Sequence, residues 1–190
     1  MNLAPAVLIV DDEAAIRRLL RTSLQAEGYR TEEAATGAEA LIHAQDADII
    51  VLDLGLPDID GLEVIRRLRA GSTVPIIVLS SREAEGGKVA ALDLGADDYV
   101  TKPFGIAELM ARLRAALRHR LQAENTPPVF RSGNLSVDLV RRIVKLGAAD
   151  VHLSPREYDI LTLLVAHAGK VLTHRMVLGK LWGASGDVQQ

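Results

Sequence analysis

Short apolar runs alternate with stretches of helical spacing over the first 120 residues of the chain. Ala6–Val10 is wholly apolar and is followed by acids, the pattern of a strand buried on both faces. Ile16, Leu19, Leu20, Ser23 and Leu24 then recur at helical spacing up to a stop at Gly28. Tyr29–Glu33 reads as a short, weakly apolar strand. Gly37–Gln45 fits a helix with Ala40 and Leu41 inward, and Asp48–Leu52 fits a second buried strand. Pro57 and Gly61 punctuate a loop before a helix over Leu62–Ala70. Pro75–Leu79 is a third buried strand, and Ala84–Leu94 is helical up to Gly95. Asp98–Thr101 is a short strand, and Ile106–Arg120 is an amphipathic helix striped by Ile106, Leu109, Leu113 and Leu117.

Five strands alternating with five helices predict an α/β fold, a doubly wound five-stranded parallel sheet over residues 1–120. Residues 121–128 (LQAENTPP) are polar, close on two prolines and read as a linker. Residues 129–190 change character. Val129–Leu153 carries short alternating stretches separated by Gly133 and Gly147, the signature of a small antiparallel sheet. Ser154, Pro155 and Glu157 then form a helix start with Ser154 as N-cap and Glu157 at the third position. Tyr158, Leu161, Leu164 and Val165 are assigned to the buried face of that helix, and Thr173 caps a second helix reaching Trp182.

Composition narrows the function classes. The net charge of −3 over 190 residues announces no general polyanion binder, and the absence of Cys removes disulfide frameworks and thiolate metal sites. Aromatic residues are 3% of the chain, too few for base-stacking platforms. The N-terminal apolar run has no basic leader and is far short of a membrane span, so a cytoplasmic chain with no membrane partner is expected. Charge divides with the domains: residues 1–121 hold 14 basic against 19 acidic groups, residues 122–190 hold 8 against 6.

The acids gather at strand ends. Asp11, Asp12 and Glu13 follow the first strand, Asp53 the third, Ser80 and Ser81 the fourth, and Thr101, Lys102 and Pro103 the fifth. In a parallel α/β sheet these ends share one edge, where ligands bind. Three aspartates there make a hard oxygen site suited to Mg²⁺ (or Mn²⁺), and a lysine beside them offsets their repulsion and can meet a phosphate. Singly, an Asp after a strand is most often a helix N-cap and a Lys-Pro pair is a turn. Four strand ends contributing together are a different matter.

VLIVDDE, IIVLDLGLPDIDG, VPIIVLSSR and GADDYVTKPF together resemble the receiver domain of two-component response regulators, whose fold is flavodoxin-like. LSPREYDILTLLVAHAGKVLTHRMVLGKLWG is similar to the start of the α+β winged-helix effector domain of the OmpR/PhoB subfamily. Within it, DLGLPDIDG and ADDYVTKPFGIAELMARLRAALR are nearest in wording to regulators of potassium-transport genes. The resemblance implies that Asp53 is the phosphoacceptor, charged by a sensor histidine kinase. It makes Asp11 and Asp12 the metal acids with Asp53 and the Gly55 carbonyl, gives Ser80 and Lys102 to the phosphoryl oxygens, and makes Tyr99 the switch aromatic. It implies a cis bond between Lys102 and Pro103. It further implies a homodimer on phosphorylation, held by a small apolar patch and by crossed ion pairs of Lys88 with Glu108 and of Asp98 with Arg112; Arg114 and Arg120 are read as a solvated helix face. No enzyme activity is expected beyond participation in its own phosphotransfer.

The family pattern continues past LWG into a recognition helix and a β-hairpin wing, whereas this sequence ends at Gln190. The expectation is an incomplete winged-helix domain: promoter DNA is the partner of a full-length form and not of these 190 residues. Leu161, Leu164, Val165, Leu172, Val177, Leu178, Leu181 and Trp182 are then expected to leave an exposed apolar patch on a loosely folded C-terminal half. Two alternatives compete with a phosphorylation-switched transcription regulator. One is a DNA-binding-deficient regulator that works through protein contacts. The other is a Mg²⁺-dependent phosphohydrolase with an aspartyl-phosphate intermediate. The hydrolase reading needs two acids separated by one residue after the first strand, and here Asp11 and Asp12 are adjacent.

Overall fold

The computed structural model describes residues 4–81 and 85–182. The chain divides into two compact units, residues 5–126 and the residues from 127 onward.

In the first unit, β1 (Ala6–Val10), β2 (Arg30–Ala34), β3 (Ile49–Leu52), β4 (Ile76–Ser80) and β5 (Asp98–Thr101) form one parallel sheet in the order β2-β1-β3-β4-β5. The three central strands, β1, β3 and β4, are buried throughout, as uniformly apolar runs require. The two edges carry the polar residues: β2 reads RTEEA and β5 opens on Asp98 and ends on Thr101.

Helices cover both faces of this sheet. They are α1 (Ala14–Ala26), α2 (Gly37–His43), α3 (Gly61–Arg69), α4 (Glu85–Asp93) and α5 (Ile106–Ala123). Leu8, Val10, Ile50, Leu52, Ile76 and Val78 share a core with Ala40, Val64, Ile65, Leu68, Ala91 and Tyr99. Strand alternation sends Val7, Ile9, Ile49, Val51, Ile77 and Leu79, all buried, to the opposite face. Leu20 and Leu24 of α1, and Leu109, Leu113 and Leu117 among the buried positions of α5, belong to the two helices on the remaining side.

Several sequence expectations shift. Leu19 is 47% exposed, so the buried line of α1 is Leu20 and Leu24. The helix expected over Gly37–Gln45 tightens into a 3-10 turn at Ala44–Asp46. The α5 helix runs three residues past Arg120, because Leu121, Gln122 and Ala123 are good helix formers and compete well with a linker. Met110 and Ala116 join its buried stripe, while Ile106 stays half-buried at its first turn. Ala84, the expected first residue of α4, lies outside the described residues.

Gly61 opens α3 directly against the loop that leaves β3. A Cβ placed there would lie 2.5 Å from the Leu54 Cα and 2.9 Å from the Asp53 carbonyl oxygen. Both are backbone atoms and cannot rotate away. Gly61→Ala is therefore expected to cost about 2 kcal/mol of stability, measured by urea unfolding. An unchanged midpoint would show that the loop yields freely.

The second unit begins with an antiparallel sheet of β6 (Val129–Ser132), β7 (Leu135–Asp138), β8 (Ile143–Leu146) and β9 (Ala149–Val151), paired in that order. Helices α6 (Pro155–Ala166) and α7 (His174–Trp182) follow. Ser154 and Glu157 form a complete capping box at the start of α6, and the Thr173 Oγ1 accepts a hydrogen bond from the Met176 N–H. Val137, Val144 and Tyr158 are the centre of a small core, and the Arg142 guanidinium stacks over the Tyr158 ring 4.0 Å from its centroid. The fully buried residues of α6 are Tyr158, Thr162 and Leu163, and of the expected Tyr158–Leu161–Leu164–Val165 face Leu161 and Val165 pack against the same core while Leu164 does not. Leu164 is 50% exposed, and Leu161 and Val165 are half-buried. Thr162 tolerates burial because its Oγ1 donates to the Tyr158 and Asp159 carbonyls. Of the expected patch, Leu172, Val177 and Leu178 are half-buried; the side chains of Leu181 and Trp182 lie outside the described residues, as does the tail of 183–190.

Candidate functional site

In the order β2-β1-β3-β4-β5 the chain reverses direction across the sheet between β1 and β3, which opens a crevice at their carboxyl ends. Val10 lies beside Leu52 in register, so the next residues, Asp11 and Asp53, flank that crevice. The Asp53 N–H still donates to the Val10 carbonyl at 2.8 Å, and the Asp11 N–H to the Ala34 carbonyl at 3.1 Å. Both acids thus leave the sheet from hydrogen-bonded positions and are rigidly aimed. Ser80 ends β4, and its carbonyl accepts from the Lys102 N–H at 2.9 Å, bringing the residue after β5 to the same edge. The Lys102–Pro103 peptide is cis.

Asp11 is 1% exposed and Asp53 6%, a burial that carboxylates accept only with partners. The Lys102 ammonium supplies one. Its Nζ lies 2.7 Å from the Asp11 Oδ2, 3.6 Å from the Asp53 Oδ1 and 3.5 Å from the Glu13 Oε1. The Asp11 Oδ1 also accepts from the Glu13 N–H at 2.9 Å, and the Asp53 Oδ2 from the Gly55 N–H at 3.2 Å. Burial still pushes the Asp53 carboxyl above its ordinary value. Lys102 opposes this, Asp11 adds to it, and the backbone N–H groups of Gly55 and Leu54 offset only part. For Lys102, desolvation works downward, yet its hydrogen bond to Asp11 and the charges of Asp53, Asp11 and Glu13 leave its pKa raised.

Asp11, Asp12 and Asp53 each offer a carboxylate oxygen, and these oxygens lie within 4.8 Å of one another. An all-oxygen set of this size, with exposed Asp12 on its solvent side, fits a hard divalent cation that retains several waters. Gly55 belongs beside it: a Cβ there would stand 3.1 Å from the Asp53 Oδ2. Ser80 is buried at the end of β4, and Tyr99 is buried in the core, more deeply than an edge-strand aromatic requires.

No sequence motif marks Asp58, yet it fixes the loop that follows Asp53. Its carboxylate accepts from the Gly37 N–H at 2.8 Å and the Ala38 N–H at 2.9 Å, at the start of α2. Those backbone bonds hold it below the usual carboxylate range. The only signal was an acid in a loop, which the neighbouring Asp60, cap of α3, shares. Arg120 is a correction. Its Nη1 donates to the Asp48 carbonyl and lies 3.0 Å from the Asp48 Oδ1, so it ties the last turns of α5 to the entry of β3 instead of lying solvated.

The four residues assigned to a dimer face occupy α4, β5 and α5. Within one chain Arg112 already bonds Asp98 at 2.8 Å and Glu108 at 2.8 Å, and the Lys88 Nζ sits 6.0 Å from the Tyr99 ring centroid. Val89 and Leu92 of α4 are exposed beside them in sequence.

Residues 7–114 match the response regulator receiver domain family, and residues 148–190 match the transcriptional regulatory protein C-terminal family. The chain is 52% identical over 179 residues to the KDP operon transcriptional regulatory protein KdpE of Escherichia coli (strain K12), spanning 93% of this chain and 80% of that protein. It is 46% identical over 180 residues to the transcriptional regulatory protein KdpE of Mycobacterium tuberculosis (strain H37Rv), with the same coverage. Among solved structures, the Thermotoga maritima OmpR/PhoB homologue DrrB superposes with a TM-score of 0.55 at 29% identity, over 94% of this chain and 80% of that one. No helix among the described residues is long and apolar enough to cross a membrane. A five-stranded receiver fold with an acidic crevice at its β1–β3 edge, followed by an effector sheet and helices, places this chain in the response-regulator family, as an OmpR/PhoB-type transcriptional regulator.

Proposed function

We propose that this regulator is switched by phosphorylation of Asp53, with a sensor histidine kinase as donor and promoter DNA as target. In this reading residues 1–120 carry the switch and residues 129–190 the output, in the cytoplasm. The observation that carries it is the Lys102 ammonium held between the buried Asp11 and Asp53 carboxylates at the edge where ligands of such sheets bind. The likeness to the two KdpE proteins extends the reading to potassium-transport genes.

One Asp53 carboxylate oxygen attacks the phosphorus of a phosphohistidine in line. The new O–P bond forms as the P–N bond breaks, and its electron pair returns to the imidazole nitrogen. Asp11, Asp12 and Asp53, with the Gly55 carbonyl, would hold Mg²⁺ or Mn²⁺, which when bound neutralises charge on the phosphoryl oxygens. Lys102 shifts from Asp53 towards those oxygens, a short move for an ammonium 3.6 Å away. The acyl phosphate carries nearly two negative charges where the carboxylate carried one. The Ser80 hydroxyl turns to a phosphoryl oxygen, and the buried Tyr99 ring follows the space that this leaves. The result biases a pre-existing equilibrium of the α4, β5 and α5 face towards a homodimer. In that dimer Arg112 exchanges its intrachain bonds to Asp98 and Glu108 for a crossed pair with Asp98 of the other copy, which leaves Glu108 to pair across with Lys88. Exposed pairs contribute under about 1 kcal/mol each, so they select register and partner while Val89 and Leu92 supply the apolar contact.

Treating the chain with a small-molecule phosphodonor and Mg²⁺, followed by peptide mass spectrometry, tests the assignment. One hydroxylamine-sensitive phosphoryl group on Asp53 is the expected result. A phosphoryl group elsewhere, or none, overturns it.

A further inference from the structure

The two backbone carbonyls between β1 and α1 are held by a side chain that no motif marks. Arg17 stands one turn into α1, and its Nη1 donates to the Asp11 carbonyl at 2.6 Å and the Asp12 carbonyl at 2.9 Å. Its Nε lies 3.3 Å from the Glu33 Oε2 on β2, and Glu33 is steadied in turn by the Arg21 Nη1 at 2.7 Å. The Arg17 side chain is 17% exposed, so this fork is largely shielded from water.

We propose that Arg17 is a positioning residue for the acids of the site, an inference that rests on the reading of Asp11, Asp12 and Asp53 as a divalent-cation and phosphoryl site. The Asp11 carbonyl belongs to the peptide plane before the Asp12 Cα, and the Asp12 carbonyl to the plane after it. One guanidinium bonded to both fixes the two planes, and with them the direction in which the Asp12 Cβ leaves the backbone. Asp11 has direct restraints on its carboxylate, from Lys102 and the Glu13 N–H. Exposed Asp12 receives its orientation through the main chain. Glu33 completes the device by anchoring the guanidinium to the neighbouring strand, which ties the metal acids to β2 as well as to α1. A lysine at this position would keep the charge but lose the planar fork that reaches two carbonyls and a carboxylate together.

Charge and positioning act with opposite signs here, and that makes the proposal decidable. A cation beside three acids repels an incoming metal ion, so removing Arg17 for its charge alone would tighten metal binding. Removing it as a positioning group loosens Asp12 and weakens binding. Partners that orient metal ligands typically change affinity about 10–100-fold when lost.

The test is Mn²⁺ binding to the full chain, read by electron paramagnetic resonance, with thermal unfolding followed in parallel. Arg17→Met keeps the aliphatic stem and removes every donor; about tenfold weaker Mn²⁺ binding by a protein that still unfolds cooperatively is expected. Arg17→Lys, which keeps the charge and disturbs packing least, is expected to weaken binding severalfold and decides the matter if the Met variant does not fold. Arg18→Gln, on the same helix, serves as the comparison and is expected to bind as the unaltered chain does. Unchanged or tighter binding in the folded Arg17 variants overturns the inference alone. An unaltered chain that takes up no Mn²⁺, or an Asp12→Asn variant that binds it equally well, overturns the site reading beneath it.

Discussion

Asp53→Asn is expected to abolish phosphoryl incorporation from a small-molecule donor while raising the stability of the protein at neutral pH by about 1 kcal/mol. The functional loss follows from the role proposed for Asp53 as nucleophile: an amide oxygen has no charge to bring to phosphorus. The gain in stability follows from the environment. Burial raises the Asp53 pKa, Lys102 lowers it, Asp11 raises it again, and the net displacement is upward from 3.8. A carboxyl whose folded pKa exceeds its unfolded one binds its proton more tightly in the fold. Its favourable contribution is complete below the unfolded value and is lost as pH rises through the folded one. At neutral pH the ionised Asp53 is therefore a strained group, and asparagine relieves that strain without changing the shape of the side chain. The difference in melting temperature between the Asn variant and the unaltered chain should be near zero in acid and open as the pH climbs towards neutrality. A gap of the same size at every pH, or one in favour of the unaltered chain at neutrality, would contradict this account.

What made the site legible was the combination of uniform apolar runs and strand-end polarity. Ala6–Val10, Ile49–Leu52 and Ile76–Ser80 have no polar position before their last residue, so they had to be central strands, and the polar residues that end or follow them had to share an edge. From that rule Asp11, Asp53 and Ser80 come together, and Lys102, which follows the polar edge strand β5, joins them only because all five strands are parallel. The residues that escaped notice share a different property, which is reach. Asp58 bridges 21 positions to Gly37, and Arg120 bridges 72 to Asp48. Arg17 grips carbonyls five and six positions behind it, outside the helical i to i−4 pattern. Nothing in the sequence distinguishes Arg17 from Arg18, since each is a basic residue on a half-exposed helix. Periodicity also misjudges single positions where a polar residue can be satisfied internally. Thr162 is buried because a hydroxyl bonded to its own helix costs little to bury, whereas Leu164, two positions on, is left exposed.

Lys102→Met is expected to destabilise the chain by about 3 kcal/mol at neutral pH, the largest loss of stability among the site residues, and to suppress phosphoryl incorporation. The cost arises from what remains: Asp11 at 1% and Asp53 at 6% exposure would face each other without a cation between them. Desolvation lowers the Lys102 pKa, but the hydrogen bond to Asp11 and the charges of Asp53, Asp11 and Glu13 carry it above 10.5. A lysine held above its unfolded value contributes fully below 10.5, and its contribution fades as pH rises through the folded value. Urea unfolding at graded pH should therefore show the variant furthest below the unaltered chain around neutrality, with the two converging in strong alkali. Adding Asp11→Asn or Asp53→Asn to Lys102→Met separates the partners, since coupled groups are not additive. At 2.7 Å against 3.6 Å, Asp11 is the closer of the two. Asp11→Asn should then cancel more of the Lys102→Met defect than Asp53→Asn does; the reverse order would mean that the lysine is held chiefly for Asp53, even before a phosphoryl group arrives.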